Sequence, residues 1–140
     1  MVYQDNVANT GPVSTVRPGF VLVVDDEPFF AGAATEMLLH AGYLATFALD
    51  AKAALREIET NPDIDLLLTD VVMPGGVSGL DLARDARRLR QDLKIVVVSG
   101  YLRGDSRASE VSGLAFLEKP FLPAELTDTV ATVLAAAPRR

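Results

Sequence analysis

The 140-residue chain contains no cysteine, a single histidine and only three lysines, Lys52, Lys94 and Lys119, against ten arginines. Without cysteine there is no disulfide framework and no thiolate metal site. One histidine, His40, excludes a multi-histidine metal centre. Basic charge is in deficit: 13 Lys and Arg face 19 Asp and Glu, a formal net charge of −6. Duplex phosphates require a basic footprint, so direct nucleic-acid binding is not expected. Long apolar runs are missing as well. The cleanest, Phe20–Val24 and 95–98, are strand-sized and far short of a membrane span. The N-terminus MVYQDNVANTGP has neither a basic region nor an apolar stretch, so no signal peptide is expected. What remains, at 49% hydrophobic and 23% charged residues, is a chain able to bury one core of ordinary domain size. A soluble, cytoplasmic, acidic domain without membrane contact is the expectation.

Residues 1–19 carry Asn9, Thr10, Gly11, Pro12, Pro18 and Gly19 without periodicity and read as a flexible N-terminal extension. From Phe20 the pattern alternates. FVLVV is a β-rich run, followed by an acidic triplet and Pro28, a residue favoured in the first turn of a helix. Phe29, Ala33 and Met37, with Phe30, Ala34 and Leu38, recur at i, i+4 and i+8, predicting a helix over 28–41 stopped by Gly42. A strand over 44–49 follows. Asp50 suits the N-cap of a helix over Ala51–Thr60, whose Ala51, Ala54, Leu55 and Ile58 share one face; Asn61-Pro62 closes it. Next come a strand over 64–69, a Pro-Gly-Gly loop, and a helix from Ser78 with Leu82, Ala86 and Leu89 inward. Strands over Lys94–Ser99 and Leu114–Glu118 and a helix over 123–137 complete the series, the run IVVV marking a strand buried on both faces. Between the last two strands, 103–112 has only Ala108 and Val111 as apolar anchors, predicting a weakly held fourth helix. Five strands alternating with five helical segments predict an α/β fold, an open parallel sheet in three α/β/α layers. Crossovers should be right-handed, and the ligand site should lie beyond the carboxyl ends of the strands.

The unusual residues gather at those ends. Strand one ends in Asp25-Asp26-Glu27, strand three in Asp70, strand four in Ser99 and strand five in Lys119-Pro120. The four acids are expected to converge on one pocket. Carboxylates on adjacent strand ends repel one another unless a cation lies between them. Oxygen-only ligands suit a hard divalent ion, and few ligands with room for water suit Mg²⁺ or its substitute Mn²⁺. One Asp oxygen would remain free as a nucleophile, while Lys119 and the Ser99 hydroxyl neutralise and hydrogen-bond an incoming anion. Together these parts describe phosphoryl transfer to an aspartate. Singly, each has an ordinary reading: Asp26 and Glu27 can favour a helix start, and Asp70 and Ser99-Gly100 can be turns. Joint placement at the ends of four different strands outweighs those readings.

In order along the chain, VVDDEP, LLLTDVVMPGGVSGL, VVVSGY and FLEKPF resemble the receiver domain of two-component response regulators, as in the chemotaxis response regulator family. The likeness runs over about 20–137, leaving 138–140 as a tail. It implies a flavodoxin-like sheet of order 2-1-3-4-5. It also implies that Asp70 is the phosphoacceptor, taking its phosphoryl group from a sensor histidine kinase or a histidine phosphotransfer protein. Asp25 and Asp26 would hold Mg²⁺, Asp26 the more directly, with Asp70 and the backbone carbonyl of Val72 completing the protein ligands. Lys119 would pair with the phosphoryl oxygens and precede Pro120 through a cis peptide. Ser99 would move toward the phosphate on activation. Helix four, strand five and helix five would form the signalling face, open to a downstream protein target or to a second copy as a homodimer.

Three departures from the family pattern stand out. Phe116 occupies the switch position where many receivers have Tyr, and Tyr101 can share the gating. The loop GGVSG is one residue longer than in many receivers, a form familiar in receivers of hybrid kinases. Val72 and Tyr101 stand where the family's hydrolytic water passes, which predicts slow autodephosphorylation. A Val72→Asn, Tyr101→Glu double variant should shorten the phosphoryl half-life; an unchanged half-life would remove that reading.

Elsewhere, Arg84, Arg87, Arg88 and Arg90 interleave with Asp81 and Asp85 as a solvated, ion-paired face. His40 lacks the residues expected after a phosphotransfer histidine and is read as structural. GGVSG is no P-loop, since no Lys-Ser/Thr pair follows it. The leading expectation is a phosphorylatable switch, catalysing its own phosphorylation without turnover in the usual sense. The sequence ends just past the last helix, so output is expected from a partner, from dimerisation or from a parent hybrid kinase. The alternative is a phosphorylation-independent interaction module of the same fold. A haloacid-dehalogenase-like phosphatase needs a second Asp two residues after the first, and Asp70-Val71-Val72 lacks it.

Overall fold

The computed structural model describes residues 17–73, 78–99 and 113–136, Ser99 by its backbone alone. In chain order these form β1 (Phe20–Val24), α1 (Pro28–His40), β2 (Leu44–Ala48), α2 (Ala51–Thr60), β3 (Leu66–Asp70), α3 (Gly79–Leu89), β4 (Lys94–Ser99), β5 (Leu114–Glu118) and α4 (Pro123–Ala135). The strands make one parallel sheet ordered β2-β1-β3-β4-β5. Four helices are present among the described residues; the helix expected over 103–112 lies outside them, as do 1–16 and 137–140.

Period-two alternation explains the layers. On β1, Val21 and Val23 point to one face of the sheet and Leu22 and Val24 to the other. The first face packs under Ala34 and Leu38 of α1 and Leu126 and Val130 of α4. The second packs under Ala54 and Ile58 of α2 and Leu80, Leu82, Ala83 and Ala86 of α3. β4 obeys the same rule, with Val96 and Val98 on one side and Ile95 and Val97 on the other. Leu89, expected to face inward from α3, is instead exposed at the last turn.

Helix starts follow local chemistry. Asp50 Oδ1 accepts from the Ala53 N–H at 2.7 Å and caps α2. Ser78 Oγ accepts from the Leu80 N–H at 3.0 Å, and Asp81 Oδ2 accepts from the Ser78 N–H at 3.4 Å, a capping box for α3. Gly42 takes φ +97° beyond the end of α1, the left-handed conformation that releases the chain into β2. β3 begins at Leu66 and includes Asp70, where apolar patterning alone predicts 64–69; Ile64 is buried but bonds back to Asn61 O at 3.3 Å, a turn. Ahead of β1, Arg17 forms a two-pronged ion pair with Asp65 at 2.9 and 3.1 Å.

Strand order reverses beside β1: the chain leaves it toward β2, then returns to place β3 on its other side. That switch point opens a crevice at the carboxyl ends of β1 and β3.

Candidate functional site

β1 and β3 pair from Val21↔Leu66 to Val24↔Thr69, which brings Asp25 level with Asp70 one residue further on. Asp70 pairs with Val98 of β4, and Ser99 with Glu118 of β5, so Lys119 emerges at the same end of the sheet. Carboxylate oxygens of Asp25, Asp26 and Asp70 lie within 4.8 Å of one another. Asp25 is buried, Asp70 half-buried and Asp26 exposed. Lys119 Nζ reaches Asp25 Oδ2 at 3.4 Å and Asp70 Oδ2 at 3.5 Å. The Lys119–Pro120 peptide is cis.

The backbone around these groups is tightly fixed. Asp25 Oδ1 accepts the Glu27 N–H at 2.9 Å, leaving Oδ2 to face Lys119. Gly79 has its N–H on Val71 O at 2.8 Å, and α3 starts so close to β3 that a Cβ on Gly79 would meet Asp70 O at 1.9 Å. Glycine is thus a steric requirement there.

Glu27 departs from expectation. Its Oε1 accepts the Phe29 N–H at 2.7 Å and caps α1, whose first turn also carries Pro28. The three-carboxylate cluster is formed by the two aspartates of the triplet and Asp70.

Burial raises the Asp70 pKa above its ordinary value; Lys119 opposes the rise, Asp25 adds to it, and the Val72 N–H bond to the carboxylate lowers it. Like charges gathered out of bulk water, with Asp70 already resisting ionisation, form a donor set that a hard divalent cation would relieve. Three carboxylates and no nitrogen or sulfur ligand fit Mg²⁺ by chemistry.

The remaining expected residues divide clearly. Val72, two residues after Asp70, is 71% exposed, and it bridges to Ser78 across the loop. Phe116 sits in β5 opposite Val97 and is 45% exposed. The Ser99 side chain and Tyr101 lie outside the described residues. On α3, Arg84 pairs with Asp81 at 3.0 Å and Arg88 with Asp85 at 3.7 Å, the ion-paired face the sequence predicts. His40 is exposed beside Glu36.

Phe30 is a part of this site that apolar periodicity hides. Its ring centroid lies 4.1 Å from Lys119 Nζ, and the ring of Phe121 meets it edge-on at 5.7 Å and 71°. The available signal was positional: aromatics follow both the DDEP and the KP motifs.

Residues 21–131 match the model of the response regulator receiver domain. The response regulator receiver protein CpdR of Brucella abortus is 32% identical over 121 residues, covering 84% of this chain and 98% of that protein. The sensor kinase CckA of the same organism is 34% identical over 118 residues, 81% of this chain but 12% of the kinase. The crystal structure of the receiver domain from hybrid histidine kinase CckA superposes with a TM-score of 0.71 at 33% identity, covering 83% of this chain and 99% of that one. The chain spans between 18% and 52% of the length of several other curated relatives. A five-stranded 2-1-3-4-5 sheet, an aspartate cluster at its switch point and these matches agree: the chain belongs to the response regulator receiver domain family of two-component systems.

Proposed function

We propose that the chain is a phosphorylatable switch in which Asp70 accepts a phosphoryl group from a phosphohistidine. The observation that carries this is the meeting of Asp25, Asp26 and Asp70 oxygens within 4.8 Å, with Lys119 Nζ reaching two of the three. In the reaction, an Asp70 carboxylate oxygen forms a bond to phosphorus as the bond from phosphorus to the imidazole nitrogen breaks. The bonding pair leaves with the imidazole. The Lys119 ammonium supplies fixed positive charge toward the phosphoryl oxygens. Asp25 and Asp26, with Asp70 and the Val72 carbonyl, would hold Mg²⁺ or Mn²⁺. When bound, that ion would supply Lewis-acid neutralisation of phosphoryl oxygens. Ser99 is the hydroxyl assigned to the transferred group, with Phe116 and Tyr101 as the switch aromatics. The reading takes 20–137 as the receiver unit, 1–19 as an extension and 138–140 as a tail.

The donor in this reading is a sensor histidine kinase or a histidine phosphotransfer protein in the cytoplasm, the receiver being free-standing or part of a hybrid kinase. The reading assigns signal output, to a downstream protein or to a second copy, to β5 and α4 together with 103–112, which lie outside the described residues. No described helix is long and apolar enough to cross a membrane.

Incubation with acetyl phosphate tests the reading by mass spectrometry. A single hydroxylamine-labile phosphoryl group is expected, dependent on Mg²⁺, blocked by EDTA and lost in Asp70→Ala. Absence of labelling in the wild type, under conditions that label a receiver run alongside as a positive control, would favour the phosphorylation-independent module.

A further inference from the structure

We propose that Phe30 is a positioning residue for Lys119: its ring face holds the ammonium beside the Asp25 and Asp70 carboxylates, and Phe121 braces the ring. A lysine ammonium is a compact charge on a flexible four-carbon stem and needs several contacts to stay in one place. Here the two ion pairs, at 3.4 and 3.5 Å, are longer than the about 2.7–2.9 Å of a tight charge-assisted bond. They attract the ammonium without pinning it. The Phe30 ring supplies a third contact, with Nζ 4.1 Å from the centroid, well inside the range of about 6 Å where the ring quadrupole attracts a cation.

The ring is itself held from two sides. Phe30 stands in the first turn of α1, which Glu27 caps and Pro28 starts, so its backbone is fixed relative to Asp25 and Asp26. Phe121 follows Lys119 by two residues and meets Phe30 edge-on, the favoured arrangement for aromatic pairs. Phe121 also packs on the core face shared by α1 and α4. The aromatic pair therefore ties the segment after β5 to the segment after β1 across the lysine. Leucine or methionine in place of Phe30 would fill similar space but offer no quadrupole.

The proposal deepens the phosphoacceptor reading and rests on it for its effect on labelling, while the placement of Lys119 is measured separately. In the full chain, the Lys119 ε-methylene protons should resonate upfield through the Phe30 ring current. Phe30→Leu should return them to ordinary positions with the backbone amide spectrum otherwise retained; Phe30→Tyr should keep the shift. Phe30→Met serves the same purpose if the leucine variant does not fold. The rate of Mg²⁺-dependent labelling by acetyl phosphate should fall about three- to ten-fold in Phe30→Leu and recover in Phe30→Tyr. An unshifted Lys119 in the wild type would overturn the proposal, as would Phe30→Leu labelling at the wild-type rate. If the wild type does not label at all, the acceptor reading fails, and the mobility of the Lys119 side chain by 13Cε relaxation, greater in Phe30→Leu than in the wild type or Phe30→Tyr, decides whether Phe30 places Lys119.

Discussion

At Asp70, burial and the neighbouring Asp25 charge favour the protonated carboxyl, while Lys119 and the Val72 N–H favour the carboxylate, and burial dominates. Because the folded-state pKa lies above the unfolded one, the folded chain binds this proton more tightly. The linked stability is fully present below the unfolded pKa and is lost as pH rises through the folded one. Asp70→Asn removes the titration, so in EDTA at neutral pH it should melt higher than the wild type. Melting curves at acidic pH, where Asp70 is neutral in both states, should show the gap closing. An equal gap at both pH values would assign the effect to something other than ionisation. Gly79 makes a second prediction at this scale. A Cβ there would lie 1.9 Å from Asp70 O and 2.9 Å from Val71 Cα, backbone atoms that no rotamer change can move. Gly79→Ala should cost about 1–3 kcal/mol in chemical denaturation through overpacking. It should also slow acetyl phosphate labelling, although it removes no functional atom. Unchanged labelling per folded molecule would mean that α3 shifts and Asp70 stays.

Among the helices, α4 has an incomplete start. Leu122 stands at its N-cap with extended backbone and 66% exposure, offers no side-chain acceptor, and already gives its N–H to Glu125 Oε1 at 2.7 Å. Half of a capping box is in place. Leu122→Ser should complete it and stabilise the chain by about 1 kcal/mol. That corresponds to a rise in melting temperature of about 3–5 °C for a domain of this size. An unchanged or lower melting temperature would show that the exposed Leu122 side chain contributes more than the missing cap. Caps of this kind were legible in advance where the residue type announces them, as at Asp50 and Ser78, because the capping bond is local. Strand spans were legible from apolar runs to within a residue or two. The largest slip was at 64–69, two residues early, where Ile64 is buried by a turn and not by the ladder. Sheet order came only from the likeness to receivers, since apolar periodicity says which face is buried and not which strand is the neighbour. Phe30 was hidden for a related reason: the same i, i+4 spacing describes a core residue and a ring turned toward a lysine 89 positions away.

For the whole molecule, the net charge of −6 is unevenly used. Many acidic groups are paired or capping on the outside: Asp65 with Arg17, Asp81 with Arg84, Asp85 with Arg88, Asp50 and Glu27 at helix starts. Asp25, Asp26 and Asp70 instead share one crevice, with Lys119 as the cation between two of them. One ammonium against three carboxylates leaves a local excess of negative charge that the fold must overcome every time it forms. A ligand that binds only the folded arrangement recovers that cost and raises apparent stability by mass action, about 2.7 kcal/mol at one hundred times its dissociation constant. Melting temperature should therefore rise with Mg²⁺ concentration in the wild type, while an equal ionic strength of NaCl should have far less effect. Asp26→Asn removes an exposed carboxylate of the proposed cation site without opening a cavity, so it should fold normally and flatten the Mg²⁺ dependence. Lys119→Met should steepen it, because the resident positive charge no longer competes with the incoming cation. A Mg²⁺ response in Asp26→Asn equal to that of the wild type would place the cation elsewhere on this acidic surface.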